Sequence, residues 1–265
     1  MQVAQHLIEN EFTETERSHR EAVERVILEM RKRLHEPLTL QEMADIAYLS
    51  PYHFCRIFSR VIGVPPYEFL SALRLDAAKR LLLTTSLSVT DVCFEVGYSS
   101  LGSFTTRFTQ LVGQPPRQLR HMAESLVFPS REIHDADSSF PLYDTPIIGC
   151  VVGVVSGPEA FRGNIHVGLF NRPIPQGRPI RCTRLTKPGP YLISGVPDGI
   201  YYVLVAAFSA GSDPFNYLVP EEGVFVGASQ GPVLVNNGQM NGLADITLRP
   251  PDLTDPPLVV ALPFI

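Results

Sequence analysis

The sequence predicts a two-domain protein of α + β class, an all-α domain built from two similar two-helix units followed by an antiparallel β-sandwich. Three observations predict it. The 265 residues amount to about two domains of ordinary size. Residues 1–126 hold 10 of the Gly and Pro and residues 127–265 hold 33; these residues interrupt helices but serve the turns between short strands. Lastly, a segment starting at Leu38 recurs in kind and order at Leu87, and an internal repeat decides architecture.

Composition narrows the class. With 45% hydrophobic and 18% charged residues the chain can build ordinary cores, which excludes a disordered protein. No apolar run approaches the roughly 18–20 residues of a membrane span, and the N-terminus, MQVAQHLIENEFTETERSHR, is acidic and polar, unlike a signal peptide. A cytoplasmic location and no membrane partner are expected. Cys55, Cys93, Cys150 and Cys182 lie far apart without metal-ligand spacing, so they read as buried, reduced thiols; no metal or other cofactor is expected. A net charge of −5 argues against a polyanionic partner until its distribution is considered. Residues 50–125 carry eight Lys/Arg against five acids, a local +3.

In chain order, residues 1–19 read as an extension. A first helix follows, with Val23, Val26, Ile27, Met30 and Leu34 on its apolar stripe. The first copy of the repeat is LTLQEMADIAYLSPYHFCRIFSRVIGVPPYEFL and the second LSVTDVCFEVGYSSLGSFTTRFTQLVGQPPRQL; Ser50 matches Ser100, Phe54 matches Phe104, Phe58 matches Phe108 and Gly63 matches Gly113. Each reads as two short helices around a tight turn. Thr39 caps a helix burying Leu40, Met43, Ala44 and Ala47, and Ser50-Pro51 starts another burying Phe54, Phe58 and Val61. Gly63 ends it and the diproline forbids continuation. In the second copy Ser88 caps a helix burying Val89, Val92, Cys93 and Val96, Gly97 makes the turn, Ser99 or Ser100 caps again, and Phe104, Phe108 and Leu111 face inward. Between the copies, PYEFLSALRLDAAKRLLLTT reads as one amphipathic helix with Phe69, Leu73, Ala77 and Leu81 on a single stripe.

Residues 20–123 resemble the DNA-binding domain of the AraC/XylS family of transcription regulators, in which a linking helix joins two helix-turn-helix units. The residues that carry the resemblance are Leu40, Met43-Ala44, Ser50, Phe54, Arg56, Phe58 and Gly63, then Arg74-Leu75, Ala78 and Leu81-Leu82, then Val92, Gly97-Tyr98, Phe104, Arg107-Phe108, Gly113 and Pro115-Pro116. The resemblance implies a sequence-specific DNA-binding regulator, with double-stranded DNA as partner and recognition helices at about 51–62 and 100–112. Geometry agrees: a connecting helix of about 18 residues is roughly 27 Å long, comparable with the roughly 34 Å of one DNA turn.

Residues opposite the Phe stripes are the candidate contacts. On the first recognition helix they are Tyr52, Cys55, Arg56 and Ser59, flanked by His53 and Arg60. Arg56 suits a bidentate guanine contact, with a phosphate or a surface acid as its other reading. The resemblance places base contacts at Tyr52, Cys55 and Arg56, where Cys55 departs from the longer polar side chain a base reader would use. On the second helix Leu101, Gly102, Ser103, Thr105 and Thr106 are exposed positions that offer no bidentate purine contact, so this half reads DNA shape and thymine methyls. Arg107, Arg117 and Arg120 are assigned to phosphates, with an intradomain pair open for Arg107 and a solvated face for Arg117 and Arg120. Tyr48 departs from the pattern at the turn matching Gly97, where left-handed geometry would be strained. The acidic face of the first helix, including Glu14, Glu16, Glu21 and Glu24, reads as solvated, with a contact to RNA polymerase or to the second domain as the alternative.

Residues 124–145 read as a linker and 146–265 as the β-sandwich. Strand-like runs cover Ile147–Val155, Ile165–Phe170, Ile180–Leu185, Tyr191–Val196, Tyr201–Phe208, Val224–Val226, Val233–Val235, Ala244–Leu248 and Leu258–Leu262, separated by turn signals such as Pro197-Asp198-Gly199 and Asn236-Asn237-Gly238. GPYLISGVPDGIYYVLVAAF, with IHVGLFN before it and ADITLRP after it, resembles the transthyretin-like or carboxypeptidase-regulatory-like sandwich, which implies binding or bracing. No nucleophile and base pair up, so no enzyme is expected; His134 and His166 are the only histidines here, and His166 reads as pointing from a sheet face. Three roles stay open: a sensor for a small-molecule effector, a homodimerisation module, or a brace for the DNA-binding domain. Tyr191, Tyr201, Tyr202, Phe208, Phe215, Tyr217 and Phe225 could line a pocket or form core. The alternative class is an enzyme or carbohydrate-binding protein with an accessory DNA-binding module.

Overall fold

Two capping boxes set the start of both two-helix units. The Thr39 hydroxyl accepts from the Glu42 amide while the Glu42 carboxylate accepts from the Thr39 amide, and Ser88 with Asp91 repeats the arrangement, so each helix begins with its orphan donors satisfied. The computed structural model describes residues 14–124, 149–220 and 223–261. Its helices are α1 (Glu14–Lys32), α2 (Leu40–Ala47), α3 (Pro51–Ile62), α4 (Pro66–Thr84), α5 (Val89–Glu95), α6 (Leu101–Val112) and α7 (Pro116–Glu124). Gly63 and Gly113, at φ 89° and 94°, end α3 and α6 in the left-handed conformation. The helix α1 starts at Glu14, inside the segment read as an extension.

Burial departs from the sequence expectation in several places: Leu34, Leu40 and Val89, expected in the core, are half-buried at its edge. On α3 it is Ile57 and Ile62 that join Phe54 and Phe58 in the core, while Val61 is half-buried; the facing groove is wider than the stripe drawn from three residues. The connecting helix α4 is not amphipathic. From Phe69 to Leu83 none of its residues is fully exposed, because both helical units and the β-rich half pack around it.

Among the described residues nine strands follow: β1 (Gly149–Ser156), β2 (Gly163–Phe170), β3 (Arg181–Leu185), β4 (Gly189–Val196), β5 (Gly199–Ser209), β6 (Val224–Ala228), β7 (Val233–Asn236), β8 (Gln239–Asn241) and β9 (Ile246–Thr247), with a 3₁₀ turn at Pro214–Tyr217. One sheet has the order β4-β1-β9 and the other β3-β2-β5-β7-β8, with β6 also paired to β5. Val151, Val155, Tyr191 and Ile193 of the first sheet share a core with Ile165, Val167, Leu169 and Val203 of the second. The pairing is not wholly antiparallel, since β9 runs parallel to β1 at Val155 and Ser156. The short β8 was not expected. Conversely, residues 258–261 form no strand: the Val259 amide donates to the Pro175 carbonyl and the Ala261 amide to that of Val112, so this segment serves the junction with the helices. Nearly all of the expected linker, and residues 147–148 of the first expected strand, lie outside the described residues.

Of the four free cysteines only Cys93 is buried. Cys55 is half-buried, and Cys150 and Cys182 are exposed at outward positions of β1 and β3, which corrects the expectation of four buried thiols.

The two halves share hydrophobic contacts. Ile174, Leu218, Val219, Val259 and Ala261 belong to the same buried cluster as the helical core. Lys79 of α4 is fully buried at this junction; its ammonium donates to the carbonyls of Leu218 at 3.0 Å and Leu258 at 2.5 Å and stands 3.5 Å from Asp76. Arg80 donates to the Pro220 carbonyl, and Glu68 receives Gln176 and Arg172 from the β-rich half.

Candidate nucleic-acid interface

The repeat places equivalent aromatic wedges under two helices. Phe54 and Phe58 meet edge to face with centroids 5.5 Å apart, and Phe58 packs on Phe69 of α4 at 5.7 Å. In the second unit Phe104 lies 5.5 Å from Phe108 and 5.3 Å from Tyr98. These contacts fix which face of each helix turns outward.

On α3 the outward residues are Tyr52 (81% exposed), Arg56 and Arg60, with His53, Cys55 and Ser59 half-buried beside them. Proline at the first position of α3 needs no amide partner, so the helix starts without a side-chain cap from Ser50. On α6, Leu101, Gly102, Ser103, Thr106 and Arg107 are exposed and Thr105 is half-buried. The start of α6 is capped by Ser100, whose hydroxyl accepts from the Ser103 amide.

Three arginines outside α3 differ in what they do. The Nε of Arg107 donates to the Ser71 hydroxyl at 3.3 Å, and Ser71 lies 3.3 Å from the Tyr98 hydroxyl. The intradomain partner of Arg107 is therefore a hydroxyl of α4 and not an acid. Arg117 is exposed. Arg120 is half-buried, donating to the carbonyls of Leu82 at 3.0 Å and Leu87 at 2.6 Å; it satisfies the C-terminal end of α4, where a cation is favoured.

Residues that the sequence reading underweighted support these helices. Tyr48, in the turn before α3, adopts the left-handed conformation at φ 57° and is exposed, with the Arg25 guanidinium 5.5 Å from its ring centroid. Its counterpart Gly97 is closely covered: a Cβ there would lie 2.4 Å from the Leu34 carbonyl oxygen. Beside it Arg74 donates to the Glu36 carbonyl at 2.7 Å. The Thr39 hydrogen bonds, backbone first, and then Arg33 hold the Glu42 carboxyl down from 4.5 to about 2, so the first capping box keeps its charge at neutral pH.

The aromatic side chains of the β-rich half are mostly structural. Tyr191, Tyr201 and Phe208 are buried, and the first two donate hydroxyl hydrogen bonds to the carbonyls of Ala244 and Pro197; Tyr202, Phe215, Tyr217 and Phe225 are half-buried. Asp198 accepts from the amides of Asn237 and Gly238 and so pins one turn to another. Among the described residues no three His, Cys, Asp or Glu side chains converge as a metal site, and no helix is long and apolar enough to cross a membrane. His134 lies outside the described residues.

Known proteins share the helical part. The family profile described as a helix-turn-helix domain matches residues 43–122. This segment is the part of the chain that is similar to a helix-turn-helix domain. The bifunctional transcriptional activator/DNA repair enzyme AdaA of Bacillus subtilis is 36% identical over 93 residues, which make up 35% of this chain and 44% of that protein. The uncharacterized HTH-type transcriptional regulator YobQ of the same organism is 35% identical over 88 residues, 33% of this chain and 36% of that protein. The chain thus spans less than half the length of these relatives. Among solved structures, a transcriptional regulator with an AraC-type DNA-binding domain from Chromobacterium violaceum overlaps 39% of this chain and 93% of its own at 25% identity and TM-score 0.38. The DNA-binding domain of AdpA, solved in complex with a target DNA, overlaps the same shares at 28% identity and TM-score 0.38.

Proposed function

We propose that the protein is a sequence-specific DNA-binding transcription regulator that sets α3 and α6 of its helix-turn-helix domain into successive major grooves of double-stranded DNA. The observation that carries this reading is the pairing of two helix-turn-helix units whose buried Phe54/Phe58 and Phe104/Phe108 leave the opposite helix faces open to solvent. The linking helix, 19 residues long, spans roughly 28 Å, close to one DNA turn. In this reading Tyr52, Cys55 and Arg56 face base edges, with Arg56 on guanine. His53, Ser59 and Arg60 flank them on the backbone. Leu101, Gly102, Ser103, Thr105 and Thr106 follow groove shape and thymine methyls, and Arg107, Arg117 and Arg120 lie toward phosphates, Arg120 with the donors its two carbonyls leave over. The β-rich half, read as a transthyretin-like sandwich, braces the DNA reader and carries no catalysis.

The test is genome-wide mapping of bound DNA combined with gel-shift titration of the full chain. Sequence-selective binding at a recurring site is expected. Uniform affinity for all DNA would refute the reading. Arg56→Ala is expected to cost about 1–3 kcal/mol and relax preference at one base pair; an equal loss on every sequence would reassign Arg56 to a phosphate.

A further inference from the structure

A cavity of about 730 Å³ lies between the helical and β-rich halves, within the roughly 300–1,000 Å³ of small-molecule sites. Its floor is one face of the larger sheet. Because side chains alternate along a strand, Ile165, Val167, Leu169, Val203 and Val205 fill the inter-sheet core while His166, Gly168, Leu204 and Ala206 turn to the cavity. Across the strands the register aligns Arg184 with His166, His166 with Ala206 and Ala206 with Val226, a row that runs from a cation to apolar surface. The opposite wall comes from the helices and includes Val61 and Ile62 at the end of α3.

Charge in this cavity is unbalanced. Five arginines line it against three aspartates. Three of the arginines are engaged: Arg20 with Glu24 and Asp252, Arg80 with Asp76, and Arg249 with both oxygens of Asp255. Arg31 and Arg184, one from each half, have neither a hydrogen bond nor an ion pair among the described residues. Asp76, the acid that acts on Arg31, is already shared by Lys79 and Arg80. The half-buried His166 has an unpartnered Nε2, and burial together with Arg184 lowers it from 6.5 to about 4, so it adds no charge near neutrality. Two exposed guanidinium groups without an ion pair, beside an apolar floor of half-buried Leu204 and Val226 over the buried Ala206, match an anionic head on an apolar body.

We propose that this cavity binds a small organic carboxylate whose charge faces Arg31 and Arg184 and whose apolar body covers the β5–β6 floor. Since Val61 and Ile62 belong to the helix that carries Tyr52 and Arg56, occupancy also changes DNA affinity; this coupling, unlike the binding, rests on the regulator reading.

Calorimetric titration of the full chain with benzoate, phenylacetate, hexanoate and octanoate tests it, with the matching primary amides and inorganic phosphate as controls. At least one carboxylate is expected to bind while its amide and phosphate do not, and Arg31→Ala and Arg184→Ala are each expected to weaken it about ten-fold or more with circular dichroism unchanged. Failure of all four carboxylates, equal binding of the amide or of phosphate, or undiminished affinity in either variant overturns the site. Gel shifts with the bound carboxylate present are expected to change DNA affinity about five-fold or more. Unchanged affinity removes the coupling while leaving the site standing, and absence of DNA binding altogether fails the regulator reading instead.

Discussion

Gly97 and Tyr48 occupy matching turns in the two helix-turn-helix units, yet their surroundings give them opposite tolerances. Both have positive φ. A side chain at Gly97 would meet the Leu34 carbonyl at 2.4 Å and Arg74 at 3.0 Å, so Gly97→Ala is expected to lower stability by about 2 kcal/mol or more, measured by chemical denaturation. At Tyr48 the side chain points to solvent under Arg25. Tyr48→Gly relieves roughly 1–2 kcal/mol of left-handed strain and loses about 0.5–1 kcal/mol of cation–π attraction, leaving stability within about 1 kcal/mol of the parent. The strain at Tyr48 was legible in the sequence from its alignment with Gly97. The crowding at Gly97 was not, because the Leu34 carbonyl comes from another segment.

Among the elements α4 is the one whose character changed most between sequence and structure. Its apolar residues recur often enough to draw one stripe through Phe69, Leu73, Ala77 and Leu81, but Leu70, Ala72, Leu75, Ala78 and Leu82 are buried as well. The signal that a second face is covered is Lys79, which a stripe assigns to solvent. Removing its ammonium leaves the carbonyls of Leu218 and Leu258 without their donor and Asp76 with Arg80 as its remaining ion-pair partner, so Lys79→Met is expected to cost about 3 kcal/mol or more, read from the thermal midpoint. Helix α2 offers an acid-side counterpart. The Glu42 carboxyl is held near 2 in the folded chain against 4.5 ordinarily; its contribution is complete above 4.5 and disappears as pH falls toward 2. Glu42→Gln is expected to flatten the stability profile in that window. Both capping boxes were readable from Thr39 and Ser88 because a cap is a local device of three residues.

At the scale of the whole molecule the two halves respond differently to acid. His166 is held neutral, near 4 instead of 6.5, by burial and by Arg184, so the unfolded chain takes up its proton first and stability falls as pH drops from 6.5 toward 4. Denaturation at stepped pH is expected to show this loss, on the order of 3 kcal/mol, and His166→Phe to remove it; a slope unchanged in the variant would place the titration elsewhere. The shared cluster has a mechanical consequence too. A fragment ending at residue 124 gives up Ile174, Leu218, Val219, Val259 and Ala261 from its core, so it is expected to melt below the full chain by several kcal/mol of stability, an outcome that equal thermal midpoints would contradict.

The contrast in Gly and Pro content and the Phe-x₃-Phe repeat determined by themselves that a pair of two-helix units precedes a turn-rich β half, because caps, turns and periodic stripes are contacts between residues close in sequence. They also singled out the outward residues of α3, since burying Phe54 and Phe58 leaves Tyr52 and Arg56 on the other side. Only the tertiary structure decided what lies around α4, why residues 258–261 extend along the helices instead of pairing in a sheet, and which arginines keep their charge unmatched. Those outcomes depend on groups more than a hundred residues apart, such as Lys79 with Leu218 and Leu258, and no local pattern encodes which distant carbonyl or acid will arrive beside a given cation.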